Sequence, residues 1–266
     1  EPTLTVSKTV KVVGSAVSSP AIKVSSIELG LRGEKYEQER RYEEALSLTR
    51  QAIFKAQAEN ELAELIRWQW QLGRIFTALK NRDEAIEAYQ QAVQGLLPEK
   101  CFRWDIKDVP YAEIRPLFVG LVDLLLQRAA EKQNQPTSTA DLWQARDILE
   151  KLKTADLENY FQSNCIAAFQ DQWRAKVGEI ADDQAAIIYP IWLTDRLELL
   201  VVFPSQKEPP TIQQVSVAVG EAQIEAVVQT FREELQKGRY EPQSEGYLAP
   251  AQQLYQWLIK PLQPLL

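Results

Sequence analysis

The sequence predicts a chain of several domains and of mixed α+β class, in which a helical repeat region precedes an α/β domain. Three observations lead to this prediction. Helix-forming sequence continues from Ser25 to about Leu97, two segments within it match at an offset of forty residues, and the hydrophobic period becomes strand-like after Gly178. We divide the chain into a flexible leader at residues 1–24, a helical repeat region at residues 25–178 and an α/β domain at residues 179–266.

The helices of the first region are predicted from their start and stop signals. Ser25, with Glu28 three residues later, fits a capping box, so a helix begins there, and Pro98 ends the helical run. In the leader, a loose alternation of apolar residues leaves a short strand as the alternative. The helical run that begins at Ser25 is interrupted near Arg40–Arg41, Asn60 and Asn81–Asp83. Later elements are a connector at residues 98–114, helices at 115–131, 140–153 and 156–178, and a loop at 132–139.

Two apolar runs after Gly178 predict a β-hairpin. They cover Ala185–Leu193 and Leu197–Phe203 and flank a polar turn, Thr194–Arg196. Pro190 has no backbone N–H to donate, so its strand is expected to be bulged or to lie at an edge of the sheet. The remaining elements are predicted as a strand at residues 212–219, an amphipathic helix at 224–238 and a last helical stretch at 248–262.

The composition excludes several classes of function. The sequence has no histidine, which eliminates Ser-His-Asp triads, Cys-His dyads and His-based zinc sites within it. No glycine-rich phosphate motif is present and two cysteines do not make a metal site, so we expect no cofactor and no metal.

A net charge of −7 and short apolar runs make nucleic acid and membranes poor partners. Without a visible signal peptide the cytoplasm is favoured, and the alternative is a chain whose signal has been removed.

The two matching segments have small and aromatic residues at the same positions. The matching positions are Gly33, Tyr36, Tyr42, Ala45 and Ala52 in the first segment, and Gly73, Phe76, Arg82, Ala85 and Ala92 in the second. Small residues let paired helices approach closely, and this spacing resembles the tetratricopeptide repeat. The forty-residue period exceeds the usual period of about 34, which implies longer helices or an enlarged turn. The helices at residues 115–131 and 140–153 are expected to supply a third unit.

The resemblance to tetratricopeptide repeats implies a concave surface that holds a peptide or a protein segment. In that family the first helix of each unit lines the groove. The resemblance therefore points to six candidate partner-binding residues: Glu34, Glu37, Arg67, Trp70, Arg74 and Thr77. The alternative interpretation is a solvated helix face, with Trp70 packed against a neighbouring helix.

A second resemblance rests on short blocks that keep their order along the chain. The blocks are Leu121–Gln127, Ala145–Glu150, Leu157–Phe161 followed by Cys165, Ile188–Pro190, Asp195–Leu199 and Gln253–Pro261. They resemble the region before CHAT domains, which are caspase-like domains associated with tetratricopeptide repeats, and the opening of the domain itself, especially in cyanobacterial members. The resemblance implies an incomplete caspase-like α/β domain. It also implies that the family's His–Cys dyad lies beyond this chain, because neither Cys101 nor Cys165 matches the nucleophile, and we expect Cys165 to be a packing residue.

Three hypotheses about function remain open. The first is the interaction and regulatory region of a CHAT-type cysteine protease, inactive as given, whose gene continues past Leu266 into strands with a His and a Cys. The alternative is a self-sufficient adaptor, in which the repeats and a non-catalytic α/β domain form a scaffold. The third is a carboxylate-based hydrolase, although no spacing singles out a pair of acidic residues. Exposed strands in the segment 185–219 also predict self-association.

Overall fold

The computed structural model describes residues 24–96, 111–132, 135–161, 185–203, 209–238 and 245–265. These residues form a mainly helical chain with a small antiparallel sheet, in agreement with the predicted class. The helices are α1 (Ser26–Gln38), α2 (Tyr42–Glu59), α3 (Leu62–Ala78), α4 (Arg82–Leu96), α5 (Tyr111–Glu131), α6 (Pro136–Phe161), α7 (Glu221–Gly238) and α8 (Leu248–Leu258). The strands are β1 (Ile187–Trp192), β2 (Leu197–Phe203) and β3 (Thr211–Val217), and a 3₁₀ turn covers Lys260–Leu262.

The helices α1–α4 form two helical hairpins whose turns have the same geometry. Arg40 in the first turn and Lys80 in the second both adopt a left-handed backbone, with φ of 60° and 62°. In both turns the next amide donates a hydrogen bond to the carbonyl five residues before it, at 2.9 Å. The forty-residue offset of the sequence is therefore also the offset of the backbone geometry.

Long helices, and not an enlarged turn, account for the forty-residue period. Helix α2 has 18 residues and α3 has 17. The connection between α2 and α3 is short and consists of only Asn60 and Glu61. Asn60 ends α2 in the left-handed conformation, with φ of 57°, which is a common way for a helix to stop. Of the two explanations offered by the sequence, the structure supports the longer helices.

Small residues of the repeat lie where helices touch. A Cβ atom built on Gly33 lies 2.7 Å from Nε2 of Gln71, and one built on Gly73 lies 2.3 Å from the ring of Tyr89. Thr49 stands in the first unit where Tyr89 stands in the second, so the side chain beside the glycine is smaller in the first unit. The alanines of the pattern are fully buried: Ala45, Ala52, Ala85 and Ala92.

The predicted break between the helices 140–153 and 156–178 is wrong. Helix α6 runs through this point without interruption, and Ala155 is buried there with 1% exposure. The Thr154 hydroxyl donates to the Glu150 carbonyl at 2.8 Å, a bond that a helix interior allows. Packing of Ala155 against the core favours continuation, since no Gly or Pro stops the helix. Residues 162–178 lie outside the described residues.

Two further boundaries differ from the prediction. Helix α5 begins at Tyr111, before the predicted start at Arg115, and α6 begins at Pro136 inside the predicted loop 132–139. Proline is favoured in the first turn of a helix, where a missing N–H leaves no hydrogen bond unmade, so Pro136 opens the helix instead of preventing it. Most of the connector predicted at residues 98–114 lies outside the described residues.

The predicted hairpin and third strand form one antiparallel sheet in the order β1–β2–β3. Thr194–Arg196 joins β1 to β2, and Pro190 pairs with Leu199 in a strand at the edge of the described sheet, as predicted. Strand β3 ends at Val217, two residues before its predicted end. The last predicted helical stretch is divided between α8 and the 3₁₀ turn.

Helices cover both faces of this sheet. Leu200 and Ile212 join the core that α3–α6 build on one face. Leu199 and Val201 join a second core with α7, α8 and the 3₁₀ turn on the other face. A strand covered on both sides is apolar on both sides, which explains why β2 is buried over six of its seven residues without alternation. One apolar core therefore extends from the repeats into the sheet. The domain boundary predicted at residue 178 lies outside the described residues.

Candidate protein interaction site

Helices α1 and α3 lie side by side and enclose a groove of about 500 Å³. We call it the α1–α3 groove, and it is lined by Glu34, Glu37, Gln38, Tyr42, Arg67, Trp70, Gln71, Arg74 and Ala78. Five of the six residues that the sequence singled out are thus brought together in one place. They come from the first helix of each repeat unit, as the resemblance to tetratricopeptide repeats implies.

Thr77 is the candidate that does not line the groove. Its side chain is exposed, and its hydroxyl donates to the carbonyl of Gly73 at 2.8 Å. The residues that the sequence analysis missed include Gln38 and Gln71, each four positions after a chosen residue on the same helix face. The sequence could have indicated both glutamines, because each lies one helical turn after a candidate residue.

A bidentate ion pair crosses the groove from α3 to α1. Nε of Arg74 donates to Oε1 of Glu37 at 2.8 Å, and Nη2 donates to Oε2 at 2.9 Å. The same guanidinium lies over the ring of Trp70, 5.1 Å from its centroid. Two parallel hydrogen bonds and a stacked ring fix the position of Arg74 more firmly than a single surface ion pair does. Glu37, with 17% of its side chain exposed, neutralises Arg74.

The other two charged residues of the groove keep their charges uncompensated. Glu34 is half-buried and Arg67 is exposed, and neither forms an ion pair with another described residue. Arg67 lies 5.3 Å from the ring centroid of Trp68, a contact that leaves its N–H donors available to a ligand. The groove therefore presents one neutralised pair, one free carboxylate and one free guanidinium.

A buried amide holds the wall of the groove in place. Nε2 of Gln71 donates to the carbonyl of Gly30 on α1 at 3.2 Å and to the hydroxyl of Thr49 on α2 at 2.9 Å. Thr49 in turn donates to the carbonyl of Ala45 at 2.8 Å. Because one side chain links three helices, the backbone around the groove is ordered before any partner binds, which reduces the entropy cost of binding.

A second cleft, of about 390 Å³, was not found by sequence analysis. It lies between α4–α5 and the strands β2 and β3, with Arg82, Gln127, Glu131, Arg196, Glu198, Gln214 and Ser216 among its lining residues. Its members are distant in the sequence, so no local spacing indicates them. Glu198 alone carried a signal, since it is a charged residue within the apolar run of β2.

A partly buried ionic network lies at the second cleft. Nε of Arg196 donates to Oε1 of Glu198 at 2.6 Å, and another N–H of the guanidinium pairs with Asp123 of α5. Gln214 donates to the other carboxylate oxygen of Glu198 at 3.0 Å. Burial acts to lower the pKa of Arg196, but its hydrogen bonds to Glu198 and Asp123 outweigh burial and hold the pKa above its ordinary value. These ionised contacts join the sheet to the helical layer.

Comparison with known proteins gave no match: no family model, no curated protein and no solved structure matches this chain. The resemblances to tetratricopeptide repeats and to CHAT domains stay predictions. Cys101 and Cys165 lie outside the described residues, so the packing role expected for Cys165 stays a prediction. Among the helices that the structure describes, none is long and apolar enough to cross a lipid bilayer.

Proposed function

We propose that the α1–α3 groove binds an extended segment of a partner protein. The observation that carries this proposal is that five of the six candidate residues line one groove, whose wall is ordered by hydrogen bonds. The lining combines charged groups, amides and a large aromatic ring, a mixture suited to a peptide's backbone and side chains. Trp and Arg are also the residue types that contribute most often to the binding energy of protein interfaces.

The alternative interpretation, a solvated helix face, describes only part of the arrangement. Trp70 rests partly against the hydrophobic core, as that interpretation expects, yet it also lines the groove. A solvated face does not require an ordered arginine, whereas here two hydrogen bonds to Glu37 and the Trp70 ring hold the Arg74 guanidinium between two helices. The position of Arg74 over Trp70 therefore favours a surface shaped for recognition.

The wider role that we propose is the interaction and regulatory region of a CHAT-type cysteine protease. The proposal rests on the short sequence blocks, beginning near Leu121, that occur in the same order as in that family. Because this chain has no histidine, the proposal puts the catalytic dyad outside it. The cytoplasm is the compartment that goes with this role. A stand-alone adaptor with a non-catalytic α/β domain is the alternative. The intact mass of the gene product distinguishes them, because a larger parent with His and Cys beyond Leu266 supports the protease, whereas an equal mass supports the adaptor.

Replacing Trp70 with alanine is expected to weaken peptide binding about thirtyfold, since a central interface tryptophan commonly contributes about 2 kcal/mol or more. Linear peptides selected from a phage-displayed random library on the wild-type chain serve as ligands, and isothermal titration measures their affinity. Phe54→Ala is the matched control, because Phe54 is 75% exposed on α2 and does not line the groove. Selected peptides that bind equally to both variants and to the wild type would contradict the proposal.

Self-association through the strands stays part of the proposal, and the two sheet edges differ in how well they are protected. Strand β1 contains Pro190, a residue that discourages pairing, whereas Thr211–Val217 of β3 contains neither Pro nor a charged residue. In the described part of the chain no strand pairs with the outer side of β3. We therefore assign the self-associating edge to β3.

A lysine at this edge is expected to weaken dimer formation. Gln213 is exposed on β3, and Gln213→Lys places two like charges close together when two β3 strands pair, which should raise the dimer dissociation constant about tenfold. Sedimentation velocity over a range of concentrations measures the change. Gln223→Lys, which adds the same charge at an exposed position of α7, is the control. A wild-type chain that remains monomeric throughout, or an equal effect of both variants, contradicts the assignment to β3.

A further inference from the structure

We propose that the α1–α3 groove selects a peptide with one acidic and one basic side chain two to three residues apart. The acidic side chain pairs with Arg67, the basic one pairs with Glu34, and the peptide backbone between them packs against Trp70. This inference rests on the proposed peptide-binding function and adds the chemistry of the partner to it.

The first step concerns the face that α3 turns towards the groove. Arg67, Trp70 and Arg74 follow one another at spacings of three and four residues, so they lie on one side of the helix, and all three line the groove. Because a helix rises about 1.5 Å per residue, the two guanidinium-bearing positions are separated by roughly 10 Å along the axis. The indole lies between them.

The second step concerns the direction of α1 relative to α3. Gln71 reaches the carbonyl of Gly30, whereas Arg74 reaches Glu37, so residues later in α1 meet residues later in α3. The two helices therefore run parallel. Glu34 lies between these two levels, near the Arg74 end of the groove, and Arg67 lies at the opposite end. The separation of Glu34 and Arg67 along the groove is roughly 8 Å by the rise of the helix.

The third step is the charge that a ligand meets. Glu37 and Arg74 neutralise each other through two hydrogen bonds, so this pair contributes no net charge. What remains is a negative end at Glu34 and a positive end at Arg67. A peptide of a single charge sign is attracted at one end and repelled at the other, whereas a peptide with both signs is attracted at both ends.

The spacing of the ligand charges follows from the length of the groove. An extended chain advances about 3.3 Å per residue, so a separation of roughly 8 Å corresponds to two or three residues. Side chains two positions apart share a face in a β-strand, and side chains three positions apart share one in a polyproline II helix, so both charged groups can face the groove. The peptide backbone between them then lies beside Trp70, which is half-buried and has Arg74 over its ring.

The test begins with peptides selected from a phage-displayed random library on the wild-type chain, and only those peptides whose binding Trp70→Ala reduces are considered. We expect them to be enriched in an acidic and a basic residue two or three positions apart. Isothermal titration then compares a selected peptide with its charge-exchanged counterpart, in which Asp or Glu and Lys or Arg change places. The wild type should prefer the selected peptide about tenfold, and this preference should decrease in high salt.

A charge-exchanged protein provides the decisive comparison. The double variant Glu34→Arg with Arg67→Glu reverses the two ends of the groove and leaves the pair of Glu37 and Arg74 intact. It should prefer the charge-exchanged peptide, and circular dichroism checks that it keeps the helical content of the wild type. Peptides that depend on Trp70 but carry no charge pattern, or a double variant with unchanged preference, overturn this inference and leave the peptide-binding function standing. Failure to select any peptide that depends on Trp70 overturns both.

Discussion

Replacing Gly30 with alanine is expected to destabilise the chain by about 2 kcal/mol or more, although alanine is the better helix former by about 1 kcal/mol. A Cβ atom built on Gly30 lies 2.3 Å from Cε2 of Trp68, 2.4 Å from Cζ2 and 2.5 Å from Cδ2, all far inside van der Waals contact. The indole is fully buried and packs in a cluster with Ala52 and Ala56, so it has little room to move. Overpacking of this kind moves α1 away from α3.

The Gly30→Ala substitution also affects the groove, because the Gly30 carbonyl accepts the hydrogen bond from Gln71. Urea denaturation followed by far-ultraviolet circular dichroism measures the free energy of unfolding. Ala226→Gly is the control for helix propensity alone: Ala226 is exposed in the interior of α7, and a loss of about 1 kcal/mol is expected there. A Gly30→Ala chain as stable as the wild type would show that the indole of Trp68 can move to make room for the added methyl group.

A background with a smaller side chain at position 68 isolates the contact itself. Trp68→Leu leaves space beside Gly30, so Gly30→Ala should cost much less in this background than in the wild type. The double-mutant cycle is expected to give a coupling free energy of about 1–3 kcal/mol between the two positions. A coupling near zero would mean that the cost arises elsewhere in α1.

The repeat and most of the groove could be predicted from the sequence because their signals are local or periodic. The forty-residue offset places Arg40 and Lys80 in the same turn geometry, and a face of α3 can be read from spacings of three and four residues. The repeat resemblance also pointed to Thr77, but its short hydroxyl side chain bonds to its own helix backbone. Side-chain direction of this kind is not encoded in spacing.

What the sequence did not reveal depends on contacts between distant segments. The continuity of α6 depends on Ala155 being buried against the core, and neither its helix propensity nor its neighbours indicate that burial. The second cleft joins Asp123 of α5 to Arg196 beside β2, residues that no motif connects. The run of β2 predicted a strand, but only the fold shows that helices cover both of its faces. Tertiary packing decided each of these outcomes.

Substitution of Arg196 by alanine is expected to destabilise the chain by about 3–5 kcal/mol, because it leaves the carboxylate of Glu198 buried without a counter-charge. Glu198 is 2% exposed, and its main ionic partner is Arg196 at 2.6 Å. Asp123 loses the same partner, so this ionic contact between α5 and the sheet is also lost. Guanidinium chloride denaturation measures the free energy of unfolding. Arg41→Ala is the control, because Arg41 forms its ion pairs on the surface, with 49% of its side chain exposed, and it should destabilise the chain far less than Arg196→Ala does.

Two further variants distinguish an uncompensated charge from a simple loss of packing. Glu198→Gln removes the charge but keeps an acceptor for Arg196, so it should cost less than Arg196→Ala. The double replacement Arg196→Met with Glu198→Leu removes both charges and fills the space with apolar atoms, and it should recover a large part of the stability, since well-packed apolar residues commonly replace a buried ion pair without loss. If the double variant is instead less stable than Arg196→Ala, the network contributes attraction beyond neutralising its own charges. The hydrogen bonds of Gln214 to Glu198 and of Arg196 to Asp123 then account for the additional stability.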